Sequence, residues 1–358
     1  MNLSNLLSKL ATTGISLFVS ILFIWVVGYF FCNSLDYYKY DPQLNKFIHA
    51  PFLTYKHRTE GFASTKKGLF GINAIEDITK DGRRKIIVWG DSYIEGHQVN
   101  DKLKIPQVIT KKLTNDSANS QIMSFAVGMS GDSVADYYFD IPKYESLVKS
   151  VAAHYIVITS INDILPDQLS DTTRGLFKSN PLEIYHDKWH PEFQKAKAQL
   201  NNFGLYFIWQ PIRSLISTIK KITFIPTAQI SHVENKAQQT YSPQFLQESW
   251  EFLLSELRKQ TSKPLVFIYC PHVPKIEENK ISITDPDQQQ IELFSKIAKK
   301  NNIQFLNSSY QFINFYETTG LFPRGFSNSK PSVGHFNKYG HEIVSRLIVD
   351  HLKEIGSI

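Results

Sequence analysis

An α/β fold with a mainly parallel sheet, covered on both faces and preceded by one membrane-spanning helix, is predicted by three features of the 358-residue sequence. Apolar, β-branched runs recur after Lys85, at Ile86–Trp89, Ile122–Val127, Tyr155–Thr159, Leu265–Tyr269 and Ile303–Leu306. Most are followed by segments with helical spacing, and strands alternating with helices build a parallel sheet between helical layers. Near the N-terminus, no charged residue occurs between Lys9 and Asp36.

That first segment contains GISLFVSILFIWVVGYFFC, a run long enough to cross a bilayer. It ends in Tyr29, Phe30 and Phe31 rather than in the small residues of a signal-peptidase site, so an uncleaved anchor over residues 1–35 is expected, with membrane contact through residues 10–35. Trp25, Tyr29, Tyr37 and Tyr38 suit an interfacial belt. Lys9 lies before the span and Asp36 after it, which favours the remaining chain on the extracytoplasmic, periplasmic side. Residues 36–83 show no clear period and read as a stalk or packing extension; residues 84–358 form the main domain.

Composition excludes some classes of function. The net charge of +6, from 39 basic and 33 acidic residues, is no nucleic-acid footprint. The densest basic cluster, Lys80 to Lys85, reads as a solvated lead-in to the first core strand. Two cysteines, Cys32 and Cys270, imply neither a disulfide framework nor a metal knuckle and leave the redox compartment open.

The first three apolar runs end in Gly90-Asp91-Ser92, Gly128-Met129-Ser130-Gly131 and Ser160-Ile161-Asn162-Asp163, and parallel strands deliver such ends to one edge of the sheet. A serine on a tight strand-to-helix turn keeps its hydroxyl out of the core and points its N–H toward an adjacent oxyanion. Gly128 offers an unobstructed backbone N–H and Asn162 a neutral amide donor, both suited to charge that develops in a transition state. The base would be His335, in SVGHFNKYGHEIV, just before a helix starting near Asn337. Taken singly, these are also an Asx-type turn, turn glycines, a cap and a surface histidine; their convergence argues for a site. Asp91 and Asp163 read as structural, and His341 as a packing or capping residue.

Gly90-Asp91-Ser92, Gly128, Asn162-Asp163 and His335 with its following Phe-Asn-x-x-Gly-His resemble the four blocks of the SGNH (GDSL-type) hydrolase superfamily, over roughly residues 84 to 354. The resemblance implies a flavodoxin-like three-layer α/β/α sandwich. It implies Ser92 as nucleophile and His335 as base. The Ser92 and Gly128 N–H groups and the Asn162 amide would form the oxyanion hole, with no cofactor and no metal. Two positions depart from the pattern: Ser332 stands where the family has its aspartate, and Ser160 where its third block opens with glycine. The expectation is therefore a Ser–His dyad with the third member unassigned and Ser332 as a possible replacement of the acid. With its anchor the chain looks like membrane-bound members acting on acyl esters, O-acetyl groups of cell-envelope glycans first among them. Esterase and O-acyltransferase stay open, as does the oligomeric state; the alternative is a catalytically silent carbohydrate-binding or scaffold protein.

Two further features fall in an insertion at about 165–242. His186 and His190 are spaced like a helical zinc pair, but Pro191 follows, Pro181 precedes and no third ligand presents itself, so a loop is expected. After Pro211, residues Ile212, Leu215, Ile216, Ile219 and Ile222 repeat at helical spacing, a stripe expected to pack on its own domain rather than on a membrane.

Overall fold

The computed structural model describes residues 3–31, 33–34, 37–73, 77–115, 121–168, 175–186 and 241–356. The five runs singled out above are the five strands of one parallel sheet: β5 (Arg84–Gly90), β6 (Ile122–Gly128), β7 (Val151–Ile158), β10 (Leu265–Tyr269) and β13 (Gln304–Asn307), in the order β13-β10-β7-β5-β6. Read in chain order this is 2-1-3-4-5, the flavodoxin-like doubly wound arrangement. The chain reverses direction across the sheet between β5 and its neighbours β6 and β7, and crevices at such points gather ligands.

Alternation along each strand explains the three layers. Ile87 and Trp89 of β5 face a core shared with helices α4 (Val134–Leu147), α5 (Pro243–Lys259) and α6 (Gln288–Lys300). Ile86 and Val88 face the opposite core, built with α3 (Ile105–Asn115), α7 (Ser309–Thr319) and α8 (Lys338–Glu354). A strand buried on both faces is apolar throughout, which is why period-two alternation is missing from its sequence.

Ahead of this sandwich, α1 (Leu3–Phe31) is long and apolar enough to cross a membrane. The extension after it forms two antiparallel hairpins, β1 (Tyr38–Asp41) with β2 (Lys46–His49), and β3 (Thr54–His57) with β4 (Ala63–Lys66). It packs rather than projects. Leu44, Ile48, Phe70 and Ile72 join the core beside α4, and Lys46 Nζ meets Asp140 of α4 at 2.5 Å with both side chains buried.

The described part of the insertion is a hairpin of β8 (Gly175–Ser179) and β9 (Leu182–His186), seated by Phe177 against Phe252, and a further short hairpin after β10 pairs β11 (Lys275–Glu277) with β12 (Lys280–Ser282). His186 ends β9, a strand, with its ring 4.6 Å from that of Phe139. His190 and the apolar stripe at 212–222 lie outside the described residues.

Candidate active site

Two glycines bring the carboxyl ends of β5 and β6 together. Gly90 and Gly128 are register partners, and a Cβ on Gly128 would come within 2.7 Å of the Gly90 carbonyl, while one on Gly90 would meet Ile94 Cγ1 at 2.2 Å. Only glycine fits either position. The chain then turns into the single-turn helix α2 (Ser92–Glu95), whose first N–H groups are met by Asp91: its side chain accepts from Tyr93 N–H at 2.9 Å, and its carbonyl from Ile94 and Glu95. Asp91 is thus the cap that fixes the turn, and Ser92 is left half-buried at its apex.

His335 Nε2 lies 2.9 Å from Ser92 Oγ. Its loop is held by Gly325 N–H donating to the His335 carbonyl, and by Asn337, which caps α8 through Tyr339 N–H and donates its amide to the carbonyls of Phe322 and Gly325. Tyr93 packs its ring 5.0 Å from the imidazole.

The group that orients His335 is Glu60, in the turn between β3 and β4. Glu60 Oε2 stands 2.7 Å from His335 Nδ1, and Oε1 accepts the His335 backbone N–H at 2.8 Å. Burial acts to raise the Glu60 carboxyl, but hydrogen bonding and the charge of His335 outweigh it and hold the pKa below the ordinary glutamate value. Gly334 makes the approach possible: its φ is +88°, and a Cβ there would sit 2.1 Å from Glu60 Oε1. Asn328 clamps the same turn, accepting from Gly61 N–H and donating to the Arg58 and Gly61 carbonyls.

Ser332 plays a different part from the one its position suggests. It is buried, with φ +64°, and its Oγ accepts the Ile276 N–H at 3.0 Å. The carboxylate at His335 comes from 275 residues earlier in the chain instead. Nothing in the residues around Glu60 announces this. The serine at position 332 was the available signal, because it says that the partner of His335 must come from elsewhere.

Ser160 caps the turn carrying the third block, its Oγ accepting Asn162 N–H at 3.1 Å, and Asp163 Oδ2 closes it by accepting from the N–H groups of Thr159 and Ser160. Serine therefore does local work that a glycine would not. The Asn162 side chain is exposed and borders a small cavity lined also by Ser133, Val134, Leu165 and Phe177. Beneath the site, burial and then the neighbouring Asp163 carboxylate push Asp91 up to about 7, and burial raises Asp163. The buried Arg324 guanidinium offsets part of this; it donates to the Cys270 and Pro271 carbonyls and stands 4.8 Å from the Tyr93 ring and 4.5 Å from that of Phe336. His341 is buried beside Phe336, and burial holds it neutral with a pKa near about 3.

A second ionisable cluster ties these loops to the extension. Buried Glu95 accepts Ser130 N–H through Oε2, and through Oε1 meets His49 at 2.5 Å, Lys67 at 3.2 Å and His97 at 3.3 Å. The ligand atoms of His49, Glu95 and His97 lie within 4.8 Å of one another, as a metal would require. The ammonium of fully buried Lys67 already serves the same carboxylate oxygen, so the cluster is an ion-pair network joining the serine turn, the Gly128–Ser130 loop and the extension.

Fold and geometry together define a doubly wound α/β/α sandwich with a serine, histidine and carboxylate in hydrogen-bond sequence at the carboxyl edge of its sheet. No protein-family model and no curated protein matches the chain. Among solved structures it is similar to an acetyl xylan esterase at 14% identity, covering 75% of this chain and 99% of that one with a TM-score of 0.38. It is also similar to a catalytic mutant of an acetylxylan esterase from Geobacillus stearothermophilus (15%, 78% and 96%, TM-score 0.39). A lipase/acylhydrolase from Enterococcus faecalis gives 13% identity over 76% of this chain and 96% of that one, with a TM-score of 0.37.

Proposed function

We propose that this chain is a membrane-anchored serine hydrolase or acyltransferase acting on acyl esters, with Ser92 as nucleophile, His335 as base and Glu60 as the third member. The single observation that carries this reading is the continuous relay from Ser92 Oγ to His335 Nε2 at 2.9 Å and from His335 Nδ1 to Glu60 Oε2 at 2.7 Å.

In the first step Ser92 Oγ attacks the ester carbonyl carbon while its proton passes to His335 Nε2. Glu60 accepts the Nδ1–H, selects the tautomer that leaves Nε2 free, and stabilises the imidazolium. The Ser92 and Gly128 N–H groups and the Asn162 amide hold the oxyanion. His335 then protonates the departing alkoxide, leaving an acyl group on Ser92. Water or a sugar hydroxyl, deprotonated by His335, resolves it. The resemblance to the SGNH superfamily puts a short acyl ester, the O-acetyl group of an envelope glycan, first among substrates. A silent scaffold drew its support from Ser332 and Ser160; Glu60 at His335 Nδ1 and the hydrogen bond from Asn162 N–H to Ser160 Oγ weigh against it.

Labelling with a fluorophosphonate probe, followed by mass spectrometry of the modified peptide, tests the reading. The adduct is expected on Ser92 and should be lost in His335→Ala. Absence of any adduct, under conditions that label a known serine esterase, would return the scaffold alternative.

A further inference from the structure

The anchor helix ends at Phe31, and the chain is bound to the β3–β4 hairpin by its second and third residues beyond that point. Asn33 Oδ1 accepts the Arg58 N–H at 2.6 Å, and its amide donates to Thr59 Oγ1 at 3.4 Å. Ser34 N–H donates to the Lys56 carbonyl at 2.9 Å while its Oγ accepts the Lys56 N–H at 2.8 Å. Lys56 lies in β3, and Thr59 is the residue before Glu60. No free stalk therefore separates the apolar helix from the turn that supports His335: two residues of chain span at most about 7 Å.

The same turn presents an interfacial surface. Phe62, two residues after Glu60, is 64% exposed, and the Arg58 guanidinium stands 4.1 Å from its ring centre. An outward aromatic ring with a cation over its face suits the headgroup layer, where the ring meets acyl chains and the cation meets anionic lipid. Val333, two residues before His335, is also exposed.

We propose that this short coupling seats the catalytic centre on the lipid surface, and that the ester it takes is carried by a membrane amphiphile, a lipid-linked glycan bearing a short acyl group. The inference rests on the reading of α1 as an anchor and Ser92 as a nucleophile. Confining enzyme and ester to one bilayer raises their effective concentration, a gain that a freely diffusing ester does not receive.

The test uses the full chain in vesicles of phosphatidylcholine and phosphatidylglycerol. The probes are acetylated dodecyl glucoside, which partitions into the bilayer, acetylated methyl glucoside, which does not, and p-nitrophenyl acetate as a measure of the Ser92 chemistry. Wild-type kcat/KM should favour the dodecyl glycoside by about tenfold or more. A proline-rich spacer of roughly twenty residues, about 60 Å when extended, inserted after Phe31 should abolish that preference while p-nitrophenyl acetate turnover stays unchanged. Equal kcat/KM for the two glycosides in the wild type, or a preference that survives the spacer, overturns the proposal. Two other outcomes overturn it at an earlier step and are distinguishable: no turnover of p-nitrophenyl acetate and no Ser92 adduct removes the esterase reading, whereas protein left unbound after vesicle flotation removes the anchor.

Discussion

Glu60 meets His335 through both carboxylate oxygens, and its removal is the sharpest single-residue test of the relay. Glu60→Gln keeps the shape but lets the amide donate toward Nδ1, favouring the wrong tautomer; kcat for p-nitrophenyl acetate should fall by about a hundredfold to ten-thousandfold with KM little changed. Ser332→Asp, by contrast, should leave turnover level or lower it, because a carboxylate already serves Nδ1 and a second one adds only like charge. A rise in kcat in that variant would show that Glu60 does not fill the role in solution. The buried carboxylates beneath Ser92 set a pH dependence of stability. Asp91 is raised from 3.8 to about 7 in the folded chain, so its contribution is fully present below about pH 4 and is lost as pH rises through 7. Glu60 and Glu95 are lowered, so theirs is present above the ordinary glutamate range and lost as pH falls. Asp91→Asn, whose amide oxygen can still accept from Tyr93, should flatten the fall in stability between about pH 4 and 7 by on the order of 2 kcal/mol and spare the loss at lower pH. Thermal melts from pH 3 to 9 would show it; an unchanged slope between about pH 4 and 7 would mean that Asp91 stays solvated.

At the scale of elements, two loops far apart in sequence share one function. The β3–β4 turn carries Glu60, the loop before α8 carries His335, and Gly334 and Asn328 lock one to the other. Gly334→Ala places a methyl group where Glu60 Oε1 stands and forces alanine to φ +88°. It should cost about 1 kcal/mol or more in stability and reduce kcat toward the Glu60→Gln level. Asn328→Ala frees one side of the turn without blocking the approach, so kcat should fall less than in Gly334→Ala; the reverse order would place the constraint in the clamp. The five core strands were legible because each is buried on both faces and reads as a short apolar, β-branched run between turns. The Ser92–His335 pair, 2.9 Å apart, was legible because a strand end, a helix start and a resemblance pointed to both residues; the same signals single out Gly128 and Asn162 as candidate oxyanion donors. The β1–β4 hairpins were not: their strands are four residues each, too short to display a period. Glu60 was hidden for a related reason, since a carboxylate in a four-residue-strand hairpin carries no local sign of a partner 275 positions away.

For the molecule as a whole, the extension ties the candidate site of the sandwich to the segment that follows the apolar helix α1. Its apolar residues Leu44, Ile48, Phe70 and Ile72 are part of the core, and its His49 and Lys67 hold Glu95 beneath the Gly128–Ser130 loop. A reporter fused after Ile358 should be active only beyond the membrane if the anchor is oriented as Lys9 and Asp36 suggest; a signal confined to the cytoplasm would place the site among cytosolic esters. Truncation separates the anchor from the extension. Deleting residues 1–31 leaves Asn33 and Ser34 in place to grip the Glu60 turn, so the product should stay folded and retain p-nitrophenyl acetate turnover. Deleting residues 1–83 removes Glu60, His49 and Lys67 together, exposes the core beside α4 and leaves Glu95 without two of its hydrogen-bond partners, the Lys67 ammonium among them. That product should melt well below the shorter truncation and, in whatever fraction stays folded by circular dichroism, turn over no faster than Glu60→Gln. If the longer truncation instead keeps full kcat, His335 works without a carboxylate from the extension, and the site reduces to the serine and histidine of the sandwich alone.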